Sequence, residues 1–394
     1  MTEPVIDEPV IDEPVIDLAL SRAKIDAIDE QLVDLFQQRM AIAKDVAAYK
    51  RAVGKPVLDA TRERQKISAV TDAACDEFKQ YMPGLFSMIM EMSRSYQHAM
   101  LDGPTDLTCF LKDVTPIHAP NHQVHVACQG VSGAYSHIAA TELFRQPQMS
   151  FETTWDAVCD AVESQRVDFG VLPLENSTAG SVDKVYNLLS QRGLYICGAV
   201  TLRVNHCLLV RPGTRLEDIR VVCSHEQALR QCAQFIDGLE DVRSHFCKNT
   251  ALAASVVAKG QDFTQACIAS KLCADIYGLE VLQEGIQDEE NNFTRFICVS
   301  STPLVFEGAD TSSFLLVLHH EAGSLFRVLS RIAALGINMV KLESRPIPGR
   351  EFEFMFYVDV ESVPGQDSFA QLIQQIPPLC DVCTYLGSYS EISR

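Results

Sequence analysis

The sequence has no long apolar run and comparatively little positive charge. No stretch approaches the roughly 18 apolar residues of a membrane span, and the first residues have neither the basic start nor the apolar core of a secretory signal. Lys and Arg number 33 against 52 Asp and Glu, which leaves a formal net charge of -19. Binding to nucleic acid or to an anionic membrane would need a basic face. We therefore expect a cytoplasmic protein with no nucleic-acid partner and no membrane partner.

The cysteines are not arranged as the paired motifs of a structural zinc site. There are 14 of them, and Cys380 and Cys383 form an isolated CxxC with no second half. Scattered cysteines in a chain of this kind are typical of reduced cytosolic thiols, so we expect no metal site. With 394 residues, 47% hydrophobic and 22% charged, the chain is expected to form two to three globular domains.

Changes in pattern along the chain divide it into five parts. Residues 1–17 contain three copies of Glu-Pro-Val-Ile-Asp, whose regular prolines and acidic residues predict a disordered tail. Residues 18–101 have helical periodicity, and 102–123, with several prolines, are expected to form a linker. Short apolar runs alternate with helical stretches over 124–303, which predicts an α/β domain. Residues 312–390 are predicted to form strand, helix, strand, strand, helix and strand, an α+β domain.

The first helical segment, predicted over 18–51, carries cations on its apolar face. Apolar residues recur there every three or four positions, and Arg22, Arg39 and Lys50 fall on the same stripe. A helix of this length would extend about 50 Å. Three helices in about 85 residues cannot bury it, so we expect a partner chain.

Buried cations need anionic partners. One such cation could reach solvent or pair with an acidic side chain, but three on one stripe favour a pocket for a dicarboxylate, because guanidinium groups match carboxylates in geometry. The next helices agree with this interpretation. Asp59, Arg62 and Glu63 share one face of the second helix, and polar Ser93 and Gln97 continue the apolar stripe of the third.

In this order, these residues resemble the all-helical class of chorismate mutase. That family is an intertwined dimer that converts chorismate to prephenate by a pericyclic step, with no nucleophile, metal or cofactor. Its catalysis depends on holding the reactive conformer and stabilising charge on the ether oxygen. The resemblance implies that carboxylates are bound by Arg22 from the partner, Arg39 and Arg62, the ether oxygen by Lys50 and Gln97, and the ring hydroxyl by Glu63, with Asp59 and Ser93 in support.

Three motifs occur in residues 124–303. A glycine-rich turn at 130–137 could hold an anion at a helix start, but it lacks the GxGxxG spacing of a dinucleotide site, which argues against a mutase fused to a dehydrogenase. Residues 173–180 follow a predicted strand, and 292–296 precede another. Each motif alone is weak, and Glu175 to Ser177 could be a polar helix cap. In this order, they resemble prephenate dehydratase, a fold of two α/β lobes with the active site in the cleft.

The dehydratase resemblance implies a role for four residues. The reaction loses carbon dioxide and the ring hydroxyl together, so a proton donor is needed near the ring. The resemblance implies that Thr294 is this donor, that Arg295 pairs with a substrate carboxylate, and that Asn176 and Ser177 shape the pocket. One departure is visible at 224–227, where Ser-His-Glu-Gln replaces the usual Ser-His-Pro-Gln; we expect it to alter a helix start and not the chemistry.

Residues 312–390 resemble the ferredoxin-like ACT regulatory domain. The resemblance implies a phenylalanine site formed by two segments, Gly323, Ser324 and Leu325 in the first and Glu343, Ser344, Arg345 and Pro346 in the second. Glycine would allow close approach of the ligand. Ser324 and Phe326 depart from the usual Gly-Ala-Leu-Val, which bears on inhibitor affinity. A domain that only dimerises is the alternative.

Taken together, the three regions resemble the bifunctional chorismate mutase/prephenate dehydratase family. This implies chorismate and prephenate as substrates, L-phenylalanine as inhibitor, a homodimer or larger homo-oligomer, and no cofactor. Two alternatives remain open at this point: a non-catalytic, dimeric amino-acid sensor, and a chain that retains only one of the two activities. The sequence does not distinguish prephenate from its transaminated form, arogenate, as the dehydratase substrate.

Overall fold

The chain forms two compact units, Met1–Gly103 and Pro104–Arg394. The structure is a computed structural model that describes residues 17–55, 57–101, 106–111, 114–347 and 353–394. The predicted disordered tail therefore lies outside the described residues, except for Asp17. In the described ranges, no helix combines the length and the apolar character needed to cross a bilayer.

The described part of the first unit contains three α-helices, as expected. They are α1 (Leu18–Val53), α2 (Ala60–Ala73) and α3 (Met82–Leu101). Asp17 caps α1 by accepting hydrogen bonds from the backbone N–H groups of Ala19 and Leu20, and Gly54 ends it in the left-handed conformation, with φ of 66°. Helix α2 ends at Ala73, and the chain turns at Ala74 before it resumes as a 3₁₀ turn at Lys79–Tyr81.

Helix α1 leaves most of its apolar side chains uncovered within one protomer. Its buried residues are Ala43 and Ala47. Side chains that are more than half exposed include Leu18, Leu20, Ile25, Ile28, Leu32, Val33, Leu35, Ile42 and Tyr49. At 36 residues, about 54 Å, α1 is too long for the two shorter helices to cover. An apolar surface of this extent is typical of an interface.

The second unit starts with a short helix inside the region predicted to be a linker. Helix α4 (Asp106–Leu111) buries Leu111 to 3% exposure in the core of the C-terminal region. Farther on, Ile117 forms an isolated bridge with Phe306. The region predicted to be a linker, 102–123, thus contains a packed helix, in which the two apolar residues Leu107 and Leu111 lie four positions apart on one face.

The first lobe contains a mixed sheet with helices against it. In chain order its elements are β1 (His125–Gln129), α5 (Tyr135–Leu143), β2 (Gln148–Glu152), α6 (Trp155–Glu163), β3 (Phe169–Asn176), β4 (Gly180–Ser181), α7 (Asp183–Gln191) and β5 (Tyr195–Arg203). Gly170 is required in β3, because a Cβ there would lie 2.9 Å from the side chains of both Val158 and Val162.

The second lobe contains a five-stranded sheet. Its elements are β6 (Cys207–Val210), β7 (Val221–Ser224), α8 (Glu226–Gln231), α9 (Ala233–Asp237), β8 (Arg243–Phe246), α10 (Thr250–Lys259), β9 (Gln265–Ala269), α11 (Lys271–Tyr277) and β10 (Glu280–Glu284). The strand order is β10-β6-β9-β7-β8. The chain then returns to the first lobe as β11 (Phe293–Ser300), which lies between β5 and β3. The expected two-lobed α/β fold is confirmed.

The C-terminal region has the predicted order of strands and helices. It comprises β12 (Thr311–Leu318), α12 (Ser324–Ala334), β13 (Met339–Pro346), β14 (Phe354–Val360), α13 (Asp367–Gln375) and β15 (Cys380–Tyr389), with sheet order β13-β14-β12-β15. One face of this sheet packs on its own two helices. The other shares a core with the first lobe, in which Met355 and Tyr357 join Leu172 and Tyr186.

The last strand belongs to the first lobe and not to the C-terminal region. Strand β16 (Glu391–Ser393) pairs in parallel with β5, in the register Glu391 to Ala199. The sheet of the first lobe thus has seven strands, with order β16-β5-β11-β3-β1-β2 and β4 beside β3.

Candidate active sites

In the helical unit, three helices bring several expected mutase residues together. Ser93 and Gln97, both on α3, are buried, and the Gln97 amide donates to the Ser93 hydroxyl at 3.3 Å. The other amide atom, Gln97 Oε1, is buried and has no hydrogen-bond partner among the described residues. On α1, the Arg39 guanidinium donates to the backbone oxygen of Ile89 at 3.4 Å. Burial lowers the pKa of Arg39, and the charge of Glu63 on α2 partly opposes this.

Arg94 lies in this cluster and was not among the residues expected from the sequence. Its guanidinium forms ion pairs with both Glu63 and Glu91 and is only 16% exposed. Burial acts to lower the pKa of Arg94, but the two carboxylates outweigh it and raise the pKa. The signal available in the sequence was the i,i+3 spacing of Glu91 and Arg94 on a largely apolar helix.

The remaining expected mutase residues lie at the edge of the cluster or away from it. Lys50 donates to the backbone oxygen of Val57. Asp59 caps α2 by accepting from the backbone N–H of Arg62 at 2.9 Å. Arg22 and Arg62 are exposed in the protomer. A single chain therefore brings together only some of the residues expected in the mutase site. Arg22 lies on α1, the helix whose apolar side chains are exposed.

In the second unit, Thr294 and Asn176 face each other across two strands. They are register partners in the β11–β3 ladder, and the Asn176 amide donates to Thr294 Oγ1 at 2.8 Å. The same amide also donates to Asn292 Oδ1 at 2.9 Å. Ser177 accepts from the Phe293 N–H at 2.9 Å and donates to the Asn291 oxygen at 2.8 Å. These contacts hold Thr294 with its oxygen already accepting a hydrogen bond.

A chain of hydrogen bonds runs from this pair into the second lobe. The Thr178 hydroxyl donates to Asn176 Oδ1 at 2.7 Å, and the Gln231 amide of α8 donates to the Thr178 hydroxyl at 2.8 Å. Gln231 Oε1 in turn lies 3.1 Å from His206 Nε2. A cavity of about 310 Å³ between the lobes is lined by Thr178, Gln231 and Asn292. The cleft between the lobes is therefore polar, and hydrogen bonds through Thr178 and Asn176 connect it to Thr294.

Two buried polar groups near the crossover between the lobes have no hydrogen-bond partner among the residues that the structure describes. They are Asn292 Nδ2 and His206 Nδ1, in side chains that are 1% and 2% exposed. Burial lowers the pKa of His206, although its hydrogen bond to Gln231 opposes this, so the ring is neutral near pH 7. Sequence reasoning assigned no individual role to Thr178, His206, Gln231 or Asn292, although Thr178 and Asn292 lie in the motifs at 173–180 and 292–296.

Arg295 lies on the opposite face of the sheet from Thr294. Its register partner in β3 is Glu175, and successive residues of a strand point to opposite faces. The guanidinium pairs with Asp359 at 3.1 Å, Glu391 at 2.9 Å and Glu175 at 3.6 Å. These contacts give no support to the expectation that Arg295 pairs with a substrate carboxylate beside Thr294.

The glycine-rich turn at 130–137 is occupied by contacts with the second lobe. The hydroxyls of Tyr277 and Ser270 donate to the oxygens of Ser132 and Gly133, at 2.7 and 2.9 Å. A Cβ on Gly133 would lie 2.7 Å from Cys273 Sγ. The turn thus needs glycine for close packing. At residues 224–227 this chain has Ser-His-Glu-Gln where the dehydratase family usually has Ser-His-Pro-Gln. His225 caps α8 there by accepting from the Gln227 N–H at 3.3 Å, so the helix starts without the usual proline.

The residues expected to bind phenylalanine lie on two separate elements. Gly323, with φ of 83°, caps α12 in open space, Ser324 is buried, and Leu325 follows it. Along the edge strand β13, Ser344 and Pro346 are exposed. The side chains of Glu343 and Arg345 pair with each other at 2.7 Å and contact the first lobe, where Ser181 donates to Glu343 at 2.5 Å and Asp183 pairs with Arg345.

Comparison with known proteins matches both units to families. The prephenate dehydratase family model matches residues 126–303, and the chorismate mutase type II model matches residues 21–98. The bifunctional chorismate mutase/prephenate dehydratase of Enterobacter agglomerans is 31% identical over 379 residues, which cover 93% of this chain and 94% of that protein. Arogenate dehydratase 3 of Arabidopsis thaliana is 35% identical over 296 residues, covering 71% and 70% of the two chains.

A solved structure supports the fold of the second unit. The prephenate dehydratase of Arthrobacter aurescens in complex with L-Phe superimposes with a TM-score of 0.62 and 26% sequence identity, covering 68% of this chain and 90% of that one. The non-catalytic sensor and the single-activity chain are both set aside by the two family matches and the near full-length relative. The chain belongs to the bifunctional chorismate mutase/prephenate dehydratase family and is an enzyme with both activities.

Proposed function

We propose that Thr294 is the proton donor of the dehydratase reaction. The observation that carries this proposal is the hydrogen bond from the Asn176 amide to Thr294 Oγ1. Because the oxygen accepts this bond, the hydroxyl hydrogen is available to a group in the cleft. A positioned hydroxyl can donate as charge develops on a leaving group even though it is a weak acid in water.

The proposed step balances without a cofactor. The bond from the ring carbon to the carboxylate breaks and releases carbon dioxide, and its electron pair completes the aromatic ring. The bond to the ring hydroxyl breaks at the far carbon, and the leaving hydroxide takes the Thr294 proton to become water. Solvent then reprotonates the threonine. Asn176 and Ser177 hold the donor, and Asn292 Nδ2, buried without a partner among the described residues, is free to bind the substrate.

Replacing Thr294 with valine tests this role. Thr294→Val keeps the volume and removes the hydroxyl, so dehydratase kcat should fall at least about 10²-fold. Mutase turnover of the same preparation is the internal control, and Thr141→Val, which removes an exposed hydroxyl of α5, is the matched control. A Thr294→Val enzyme with parental dehydratase kcat would show that another group supplies the proton.

For the mutase, we propose that chorismate binds among α1, α2 and α3, against Arg39, Lys50, Glu63 and Gln97. Asp59, Arg62 and Ser93 support this pocket, and the partner subunit's Arg22 completes it. The burial of Gln97 and the partial burial of Arg39 support this pocket. The exposed apolar side chains of α1 support an intertwined dimer. Arg39→Ala should abolish most mutase activity and leave the dehydratase unchanged; equal loss of both in a folded protein would contradict separate sites.

We also propose that residues 312–390 form an ACT domain that binds L-phenylalanine and inhibits the dehydratase. The βαββαβ order, the open backbone at Gly323 and the exposed residues of edge strand β13 support this, as does the L-Phe complex of the Arthrobacter relative. A second protomer would bring Gly323 and the 343–346 segment together. Phenylalanine must then bind one state of that interface better than another.

The inhibition proposal is tested at Gly323. Gly323→Trp should leave dehydratase activity that no longer responds to phenylalanine. Gly336→Trp is the matched control, because Gly336 also has positive φ and open space but lies beyond the other end of α12. A folded Gly323→Trp enzyme with the parental inhibition curve would exclude this site.

We further infer a reducing, cytoplasmic location. The 14 cysteines are scattered along the chain without the paired spacing of a disulfide framework, a pattern typical of reduced cytosolic thiols.

A further inference from the structure

The back of the β3–β11 strand pair carries a buried cation held by three segments of the chain. Arg295 is 11% exposed in its side chain and pairs with Glu175 of β3, Asp359 of β14 and Glu391 of β16. Its Nη2 also donates to the Tyr389 hydroxyl at 3.1 Å. Two of the three carboxylates therefore come from residues that follow the dehydratase lobes in sequence.

The carboxylates are themselves fixed by further hydrogen bonds. The Ser313 hydroxyl donates to Asp359 Oδ1 at 2.5 Å, and Thr201 of β5 donates to Glu391 at 2.6 Å. Lys341 of β13 pairs with Glu175. Burial acts to lower the pKa of Arg295, but the charges around it outweigh this and raise the pKa. The guanidinium is thus permanently charged, and it is paired with three carboxylates and one hydroxyl.

The cationic side chains in the cavity beside Arg295 already have anionic partners. The cavity measures about 480 Å³, and its charged lining consists of Glu175, Asp359 and Glu391 against Arg295 and Lys341. Arg295 pairs with all three carboxylates and Lys341 pairs with Glu175, so a substrate carboxylate would have to displace them. Thr294 precedes Arg295 in β11, so its side chain points to the other face of the sheet.

We propose that Arg295 is a positioning residue that clamps the β3–β11 pair to Asp359 and Glu391. The inference rests on the proposed role of Thr294. Thr294 and Asn176 are hydrogen-bonded to each other as register partners, while their strand neighbours Arg295 and Glu175 form the clamp on the reverse face. Shifts of about 1 Å at a reacting group can cost about 10²-fold in rate. Dehydratase chemistry therefore depends on the docked C-terminal region.

The test is Asp359→Asn in the full-length enzyme. The substitution keeps the shape and the acceptor for Ser313 but removes the charge that faces Arg295. We expect dehydratase kcat to fall at least about 10-fold, with KM within about twofold of the parent, since the clamp acts on geometry and not on substrate binding. Mutase kcat should not change. The matched control is Glu284→Gln, which breaks the exposed Lys271–Glu284 pair at 2.7 Å.

Two further variants keep the result interpretable. If Asp359→Asn does not fold, Glu391→Gln applies the same test at a side chain that is 31% exposed. Arg295→Lys, which keeps the charge but loses the planar fork, should recover part of the kcat lost in Arg295→Met. A parental kcat in Asp359→Asn or Glu391→Gln, or a raised KM at unchanged kcat in Arg295→Met, would overturn the clamp.

Thr294→Val separates this inference from the proposed function. Loss of kcat in Thr294→Val with full activity in Asp359→Asn contradicts the clamp alone. Full activity in Thr294→Val with loss in Asp359→Asn contradicts the proton donor and supports the clamp.

Discussion

At the scale of single residues, Arg94 holds two carboxylates at once. Arg94→Met would remove the cation that pairs with both Glu63 and Glu91 in a largely buried place. We expect mutase kcat/KM to fall at least about 10-fold, because breaking a largely buried ion pair by removing one partner is costly. Arg94→Lys should restore part of the activity, and the dehydratase serves as control.

The pH dependence of mutase activity in a Gln97 variant tests the placement of this residue in the mutase site. Its side chain is 6% exposed and donates through a group that does not titrate. In Gln97→Glu only the protonated acid could donate to the ether oxygen, so activity should be confined to acidic pH, whereas the parent should remain active well above neutrality. The measurement is mutase kcat/KM from about pH 4 to pH 9. Identical profiles for the two proteins would place Gln97 outside the reacting centre.

Charged residues that interrupt the apolar face of a helix could be predicted from the sequence to belong to a site. Arg39 and Glu63 were expected in the mutase cluster, and the structure places them near each other. Arg295 shows the limit of such reasoning. Its motif indicates that the residue matters, but which face of β11 it occupies follows from pairing with β3, and its partners lie 64 and 96 positions away in sequence.

At the scale of elements, strand β15 is pressed against β5. A Cβ on Gly387, which has φ of 138°, would lie 2.0 Å from the backbone oxygen of Ile196. We expect Gly387→Ala to lower the free energy of unfolding of the second unit by at least about 2 kcal/mol. Gly193→Ala, where the added Cβ meets nothing within 4 Å, should change it by less than about 0.5 kcal/mol. Denaturant unfolding followed by Tyr and Trp fluorescence measures both.

Element order was predictable because periodicity is local. The long first helix and the βαββαβ order follow from the spacing of apolar residues. Strand β16 could not be predicted, because three residues carry no periodicity and their pairing partner, Ala199 to Thr201, is almost 200 positions earlier. Helix α4 was missed for the same reason, since its six residues are stabilised by tertiary packing.

At the scale of the whole molecule, the uncovered stripe of α1 predicts that mutase activity depends on protein concentration. Leu32→Asp puts a charge in the middle of this stripe, where Leu32 is 57% exposed in the protomer. Burying that charge at an interface is costly, so the variant should lose mutase activity on dilution while its dehydratase activity stays constant. Glu30→Gln, also exposed on α1, is the control. Sedimentation should show the matching loss of assembly, and parental mutase activity at all concentrations would contradict a shared site.

The return of the chain to β16 changes how the C-terminal region is related to the dehydratase lobes. Residues 301–390 are enclosed between two strands of the same sheet, β11 and β16, so they are an insertion in the dehydratase fold and not an appendage behind it. A gene truncation cannot remove them without also removing a sheet strand and Glu391. Recombination that transfers this region to another enzyme would have to carry the closing strand with it.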